Sequence, residues 1–205
     1  QEFMGLPFYV DERVLIPRGD SEILLEKLLE NIKLDEAERP GEKIKIADLC
    51  TGSGVLAVSA AYYCPSAEVV GTDLSRAALE VAGINARELG VCVQWRQGDF
   101  TEVIKDEGWD YIITNPPYVS LQDYQNCAPE IFHEPEMAFL GGDDGLDFYR
   151  RLAEQAGPLL NPGGKVLMEI GWEQGQAVSA LFRVKGFQTR VFQDLAGRDR
   201  VILAR

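Results

Sequence analysis

Residues 44 to 73, IKIADLCTGSGVLAVSAAYYCPSAEVVGTD, decide the fold. A strand of mixed burial over residues 44 to 50 gives way to Thr51-Gly52-Ser53-Gly54, then to a helix over residues 55 to 63, then to a second strand over residues 68 to 73. Glycines in the turn let a ligand come close to the backbone, and the helix that follows offers its N-terminal N–H groups to an anion. Strand, glycine turn, helix and strand make one βαβ unit, and such units build parallel sheets with right-handed crossovers. The unit repeats downstream. Ser75 caps an amphipathic helix that reaches Leu89, residues 91 to 96 form a third strand, and residues 111 to 114 a fourth. Residues 145 to 160 are expected as a helix, 165 to 170 as a fifth strand and 174 to 185 as another helix. The last two strands, residues 189 to 193 and 200 to 204, leave no room for a helix between them, so Ala196-Gly197-Arg198-Asp199 should join an antiparallel pair. The expected class is α/β, a doubly wound, mostly parallel sheet of seven strands with an antiparallel C-terminal strand.

Upstream, residues 6 to 16 suggest an N-terminal β-hairpin, two short strands around a polar turn at Asp11-Glu12. Pro17-Arg18-Gly19-Asp20 breaks that pattern. Ser21 or Asp20 can then cap a helix whose apolar positions Ile23, Leu24, Leu28, Leu29 and Ile32 recur at helical spacing. Residues 35 to 43 carry no periodicity and are expected as a solvated connector. The division this implies is a hairpin and helix over residues 1 to 43, packed on a main domain over residues 44 to 205.

Composition narrows the function. The hydrophobic fraction of 46% and charged fraction of 26% suit a globular chain, and charges or turn residues interrupt every apolar run before the roughly 20 residues a membrane span needs. Gln1-Glu2-Phe3 lacks the basic and apolar regions of a signal peptide, so a cytoplasmic protein is expected. Position 1 is not Met, which points to a trimmed chain or a fragment. A net charge of −13, from 20 basic against 33 acidic residues, disfavours nucleic acid and favours a protein or small-molecule substrate. Cysteines 50, 64, 92 and 127 are widely separated and His133 is the single histidine, so free thiols and a solvated loop imidazole are expected rather than a metal site.

The chemistry collects at strand ends. Asn115-Pro116-Pro117-Tyr118 follows the fourth strand. Its two prolines remove two backbone donors and fix φ near −65° twice, leaving a stiff turn that presents an amide and an aromatic ring. Such a turn can grip a small planar group; it can equally be an ordinary turn opener followed by a packed aromatic. Asp73 ends the second strand, where a carboxylate can accept both hydroxyls of a ribose or cap the next helix, a task for which Ser75 is also available. Asp99 and Phe100 follow the third strand, placed to take an exocyclic amine and to lie against a flat base. The strand-to-helix turn from Cys50 through Thr51, Gly52 and Ser53 to Gly54 completes a crevice at the carboxyl ends of consecutive parallel strands. Residues 119 to 144 make a long connection, read as a substrate-facing cover or as a surface insertion. Arg18, Asp20, Glu134 and Glu169 stay ambiguous.

The ordered set DLCTGSG, VVGTDLS, QGDF, ITNPPYV, LNPGGKVLMEIG and DLAGRDRVILAR resembles the class I S-adenosylmethionine-dependent methyltransferases of the protein-(glutamine-N5) methyltransferase family known as HemK or PrmC. VLIPRGDSE and GGDDGLDFYRRL are its more specific stretches, since NPPY is shared with amino-methyltransferases of DNA adenine and rRNA guanine. The resemblance implies S-adenosylmethionine bound by Cys50, Thr51, Gly52, Ser53, Gly54, Asp73, Asp99, Phe100 and Asn115. It implies a protein glutamine held by Asn115, Pro116, Pro117 and Tyr118, with Asn115, Pro116 and Tyr118 acting on it. Bacterial members of the family methylate the GGQ glutamine of class 1 peptide chain release factors. Gly19 stands where the family usually has proline and Cys50 where it usually has glycine. The small helical N-terminal domain of the family is not seen, so the chain resembles its catalytic domain. Alternatives are an amino-methyltransferase acting on a nucleic-acid base, a ribosomal-protein glutamine methyltransferase and a non-catalytic cofactor-binding module.

Overall fold

The computed structural model describes residues 1–105, 107–126 and 134–205. Cys127 and His133 lie outside the described residues. Seven strands form one sheet in the order β5-β4-β3-β6-β7-β9-β8. They are β3 (Lys45–Leu49), β4 (Glu68–Asp73), β5 (Gln94–Gln97), β6 (Trp109–Thr114), β7 (Leu160–Glu169), β8 (Thr189–Gln193) and β9 (Asp199–Ala204). Strands β5 to β7 run parallel in this order, and β9 pairs antiparallel with both β7 and β8. The class I architecture expected from the sequence is therefore present. Chain direction across the sheet reverses between β3, which leads outward to β4 and β5, and β6, which leads to β7. Ligand crevices open at such a switch point, at the carboxyl ends of the strands.

Alternation along the strands feeds two cores. Ile46, Val69, Tyr111, Ile113, Leu167, Val201 and Leu203 face one side, with Leu24, Leu25, Leu28 and Ile32 of α1 (Glu22–Glu38) and with α2 (Val55–Tyr63). Ala47, Leu49, Val70, Ile112, Val166, Met168, Ile202 and Ala204 face the other, with α5 (Asp147–Leu159) and α6 (Gly175–Val184). Successive residues of a strand point to opposite faces, so a strand covered on both faces is buried along its whole length. That is the reason β6 is buried at all six positions. A polar residue on it needs a partner, as Asp110 has in the Lys45 N–H at 2.9 Å and Thr114 Oγ1 in the Leu49 carbonyl at 2.7 Å. A third helix, α3 (Arg76–Glu88), follows β4, and Ser75 Oγ caps it by accepting from the Ala78 N–H at 3.2 Å.

The N-terminal region differs from expectation. The hairpin is β1 (Glu2–Phe3) with β2 (Leu6–Pro7), turned by Met4 and Gly5 at φ of 49° and 73°, and residues 8 to 18 contain no strand. Two consecutive positive φ values give the tight turn whose twist matches a two-stranded ribbon. Asp11 is not a hairpin turn. Its carboxylate accepts from the backbone N–H of Arg13 and from the Arg13 guanidinium, tightening the chain locally. Helix α1 runs into the expected connector, as far as Glu38, because Asp35 anchors its last turn by accepting from Lys165 Nζ at 2.6 Å and from the Tyr111 hydroxyl.

Asn85 of α3, 1% exposed, staples residues 8 to 18 to the body. Its Oδ1 accepts from the Tyr9 N–H at 2.7 Å, and its Nδ2 donates to the Tyr9 carbonyl at 3.0 Å and to the Ser53 carbonyl at 2.8 Å. Asn85→Ala leaves three backbone groups unpaired and is expected to lower stability by about 2 to 4 kcal/mol. A urea titration reads this directly, and a loss below about 0.5 kcal/mol would show the staple to be idle.

Candidate active site

A cleft opens at the carboxyl edge of the sheet. Its floor is the turn after β3, its walls the ends of β4 and β6 and the segment after β5, and its rim Arg13 to Pro17 on one side with Pro135, Met137 and Ala138 on the other. Of the long connection from residue 119 to 144, Pro135, Met137 and Ala138 therefore belong to the cleft. Within that connection lie α4 (Leu121–Gln125) and a turn of 3-10 helix at Glu136–Ala138, tied back by a parallel bridge between Val119 and Leu140. Glu134 clamps the two rims together: it accepts from the Ile16 N–H and from Arg18 Nη2, each at 2.8 Å.

The glycine turn is organised by two carboxylates. Asp48, fully buried, accepts from Thr51 Oγ1 at 2.6 Å and from the Ala57 N–H at 3.1 Å, which caps α2 from inside the sheet. Burial pushes its pKa up to about 7, against the pull of those two donors. Asp73 accepts from the Gly52 N–H at 2.9 Å through Oδ2 and from the Ser75 N–H at 2.8 Å through Oδ1. Gly54 N–H, in turn, is spent on the Thr51 carbonyl. The N–H groups of Gly52 and Gly54 are thus committed to the protein, and the Asp73 carboxylate stands beside them, so this turn is less open to a pyrophosphate than its glycines alone suggest.

Gly54 holds φ at 79°, and a Cβ there would lie 2.8 Å from Cβ of Ala82, so α2 and α3 meet only because the side chain is absent. Cys50 stands at φ 57°, a left-handed conformation that favours glycine and that ends β3 one residue earlier than expected. Burial and the neighbouring Asp73 and Asp48 raise its thiol pKa, so the sulfur stays protonated and inert as a nucleophile.

Of the sequence candidates, Cys50, Thr51, Gly52, Ser53, Asp73, Asp99, Phe100, Asn115 and Pro117 line the cleft together. Gly54, Pro116 and Tyr118 are not on its wall. Asp99 is also engaged by Arg151 Nη2 at 3.0 Å, and the Arg151 guanidinium lies 5.2 Å from the centre of the Phe100 ring. Phe100 is 4% exposed and meets Phe148 edge to face at 5.3 Å. Tyr118 turns inward: its hydroxyl donates to Glu169 Oε1 at 3.2 Å, and burial raises its pKa, with the adjacent Glu169 charge acting in the same direction. Asn115 Nδ2 donates to Ser21 Oγ at 3.3 Å.

A family model described as the methyltransferase small domain matches residues 19–143. A release factor glutamine methyltransferase of Moorella thermoacetica is 46% identical over 208 residues, spanning 100% of this chain and 71% of that protein. One of Clostridium acetobutylicum is 39% identical, spanning 99% and 71%. The chain belongs to the release factor glutamine methyltransferase family. In fold, a crystal structure of a methyltransferase from Pyrococcus furiosus matches at a TM-score of 0.71 and 19% identity, covering 98% of this chain and 89% of that one.

Several groups that shape the site of this methyltransferase carried no readable signal. Ser21 takes the first position before α1, yet its hydroxyl does not cap the helix and goes to Glu169 instead. Arg200 of β9 holds Asp20 at 3.1 Å and Asp194 at 3.2 Å, which fixes the segment that carries Ser21. The GGDDG stretch did carry a signal, and its reason is now visible. A Cβ on Gly145 would lie 2.3 Å from the Tyr118 carbonyl oxygen, and one on Gly141 2.7 Å from that of Pro117. Both glycines let the loop lie directly against the NPPY backbone, and Gln174 Nε2 closes the contact by donating to the Tyr118 carbonyl at 3.0 Å.

Proposed function

We propose that this methyltransferase binds S-adenosylmethionine in the cleft and methylates the side-chain amide nitrogen, N5, of a protein glutamine, that of the GGQ motif in class 1 peptide chain release factors. The observation that carries the reading is the position of Asn115: it projects from the end of β6 onto the same cleft wall as Cys50, Gly52 and Asp73. The residues present fit the cofactor. Asp73 uses each carboxylate oxygen once on backbone, so each keeps acceptor capacity for a ribose hydroxyl. Phe100 offers an apolar face and Asp99 an acceptor for adenine, while residues 50 to 54 flank the amino-acid end. When bound, the cofactor supplies a methyl group on a positively charged sulfur.

The difficulty lies in the nucleophile, because an amide lone pair is delocalised into its carbonyl. Asn115 Oδ1, on the cleft wall, accepts one N–H bond of the substrate amide, and the Pro116 carbonyl, although Pro116 does not itself line the cleft, accepts the other; together they hold the nitrogen and favour the positive charge that grows on it. The cofactor would supply the methyl group and keep the sulfur–carbon electron pair, and the substrate nitrogen gives up one proton to water. The Pro116-Pro117 pair keeps the two acceptors at a fixed separation. Residues 1 to 43 supply one rim and, in Ser21, the hydrogen-bond partner of Asn115, in a cytoplasmic enzyme whose acidic composition disfavours nucleic acid.

The test uses tritiated cofactor with a class 1 release factor, a ribosomal-protein fraction and RNA in separate reactions, followed by peptide mass spectrometry. Label on the GGQ glutamine is the expected result. Label in RNA alone would overturn the reading.

A further inference from the structure

A buried carboxylate sits behind the substrate turn with no ion-pair partner in contact among the described residues. Glu169, the last residue of β7, is 2% exposed. Its Oε2 accepts from Ser21 Oγ at 2.5 Å, and its Oε1 accepts from the Tyr118 hydroxyl at 3.2 Å. Ser21 Oγ accepts in turn from Asn115 Nδ2 at 3.3 Å. Burying a charge is costly, and a glutamine of the same shape would fill this space without one. What the carboxylate alone provides is two acceptors and no donor.

We propose that Glu169 and Ser21 are positioning residues that fix which end of the Asn115 amide faces the substrate. A hydroxyl has one hydrogen, and an ionised carboxylate can only accept, so the Ser21 hydrogen is spent on Glu169. The Ser21 lone pairs then face Asn115, and only the NH₂ end of the amide satisfies them. Asn115 Oδ1 is left to the cleft as an acceptor. The flipped amide would set oxygen against oxygen at Ser21 and present N–H to an N–H of the substrate. Tyr118 takes the second carboxylate oxygen and keeps Glu169 from turning away. The consequence for turnover rests on the glutamine reading above; the orientation of the amide does not.

The groups facing Glu169 are the Ser21 and Tyr118 hydroxyls, the Arg200 guanidinium with its partner Asp20, and Tyr149, whose hydroxyl donates to the Glu169 backbone carbonyl at 2.7 Å. Burial raises the Glu169 pKa, while the Ser21 hydrogen bond, Arg200 and the Tyr118 hydrogen bond oppose it. A protonated Glu169 can donate to Ser21, which releases the Ser21 hydrogen toward Asn115 and undoes the selection. The lock therefore fails on the acid side.

Two measurements test this separately. In ¹⁵N-labelled protein, the Asn115 side-chain NH₂ resonances should show an acid-side transition that Glu169→Gln abolishes. In turnover assays, Ser21→Val should lower kcat by about tenfold or more with the cofactor KM within about twofold, whereas Ser21→Thr, of the same shape, should keep at least about a third of the wild-type kcat. Equal kcat values for Val and Thr, or an Asn115 transition that persists in Glu169→Gln, would overturn the relay. The Ser21 pair decides the matter even where the Glu169 variant folds poorly. If the wild type labels no glutamine, the substrate reading fails, and the resonance measurement still decides the relay.

Discussion

Asn115→Ala is expected to lower kcat by roughly 10² to 10³-fold while the Kd for S-adenosylmethionine changes by less than about threefold. The asymmetry follows from what the side chain touches. Its one side-chain hydrogen bond among the described residues, to Ser21, is a 3.3 Å contact whose loss leaves a small cost. Its Oδ1 is the group that meets the substrate nitrogen, and that interaction strengthens only as positive charge builds there. An interaction made mainly in the transition state appears in kcat and leaves ground-state binding alone. A calorimetric titration and a single-turnover rate give the two numbers independently. A kcat within about threefold of wild type, less than about 1 kcal/mol of barrier, would sink the role given to Asn115.

The parts of this fold that were legible in sequence are those whose cause is local. Strands β3, β4 and β6 carry apolar residues on both faces, the glycine turn precedes α2, and the last pair has no room for a helix; each is written in a short window. Tertiary partners wrote the rest. Helix α1 extends to Glu38 because Asp35 finds Lys165, 130 residues away. The hairpin turn at Met4-Gly5 was hidden because methionine is an unusual choice at positive φ. Site residues follow the same division. Asp73, Asp99 and Asn115 were legible as residues of the cleft because each ends or closely follows a strand, where open sheets place ligands. Ser21 and Glu169 stand 148 residues apart and were invisible as a pair, since a serine before a helix reads as a cap and a glutamate on a strand reads as an edge charge.

The largest effect expected on cofactor binding is that of Asp73→Ala. Each oxygen of Asp73 already orders one turn, Oδ2 the glycine loop through Gly52 and Oδ1 the start of α3 through Ser75. Those bonds hold the carboxylate at the mouth of the cleft in one orientation, so a ribose diol pays no cost to organise it. Hydrogen bonds to a charged acceptor contribute about 1.5 to 3 kcal/mol each, and losing two of them should raise the Kd at least about 10²-fold. Removing the side chain also frees two backbone N–H groups, with an expected stability loss of about 1 to 2 kcal/mol in urea. The two losses are separable by pH. Burial raises the Asp73 pKa while the N–H groups of Ser75, Gly52 and Leu74 lower it, with burial the larger influence. As pH falls through that raised value the carboxylate takes a proton and loses acceptor capacity, so wild-type affinity should fall on the acid side and the affinity of Asp73→Ala should be flat there. An unchanged Kd with the stability loss intact would leave Asp73 as a turn-holding residue alone.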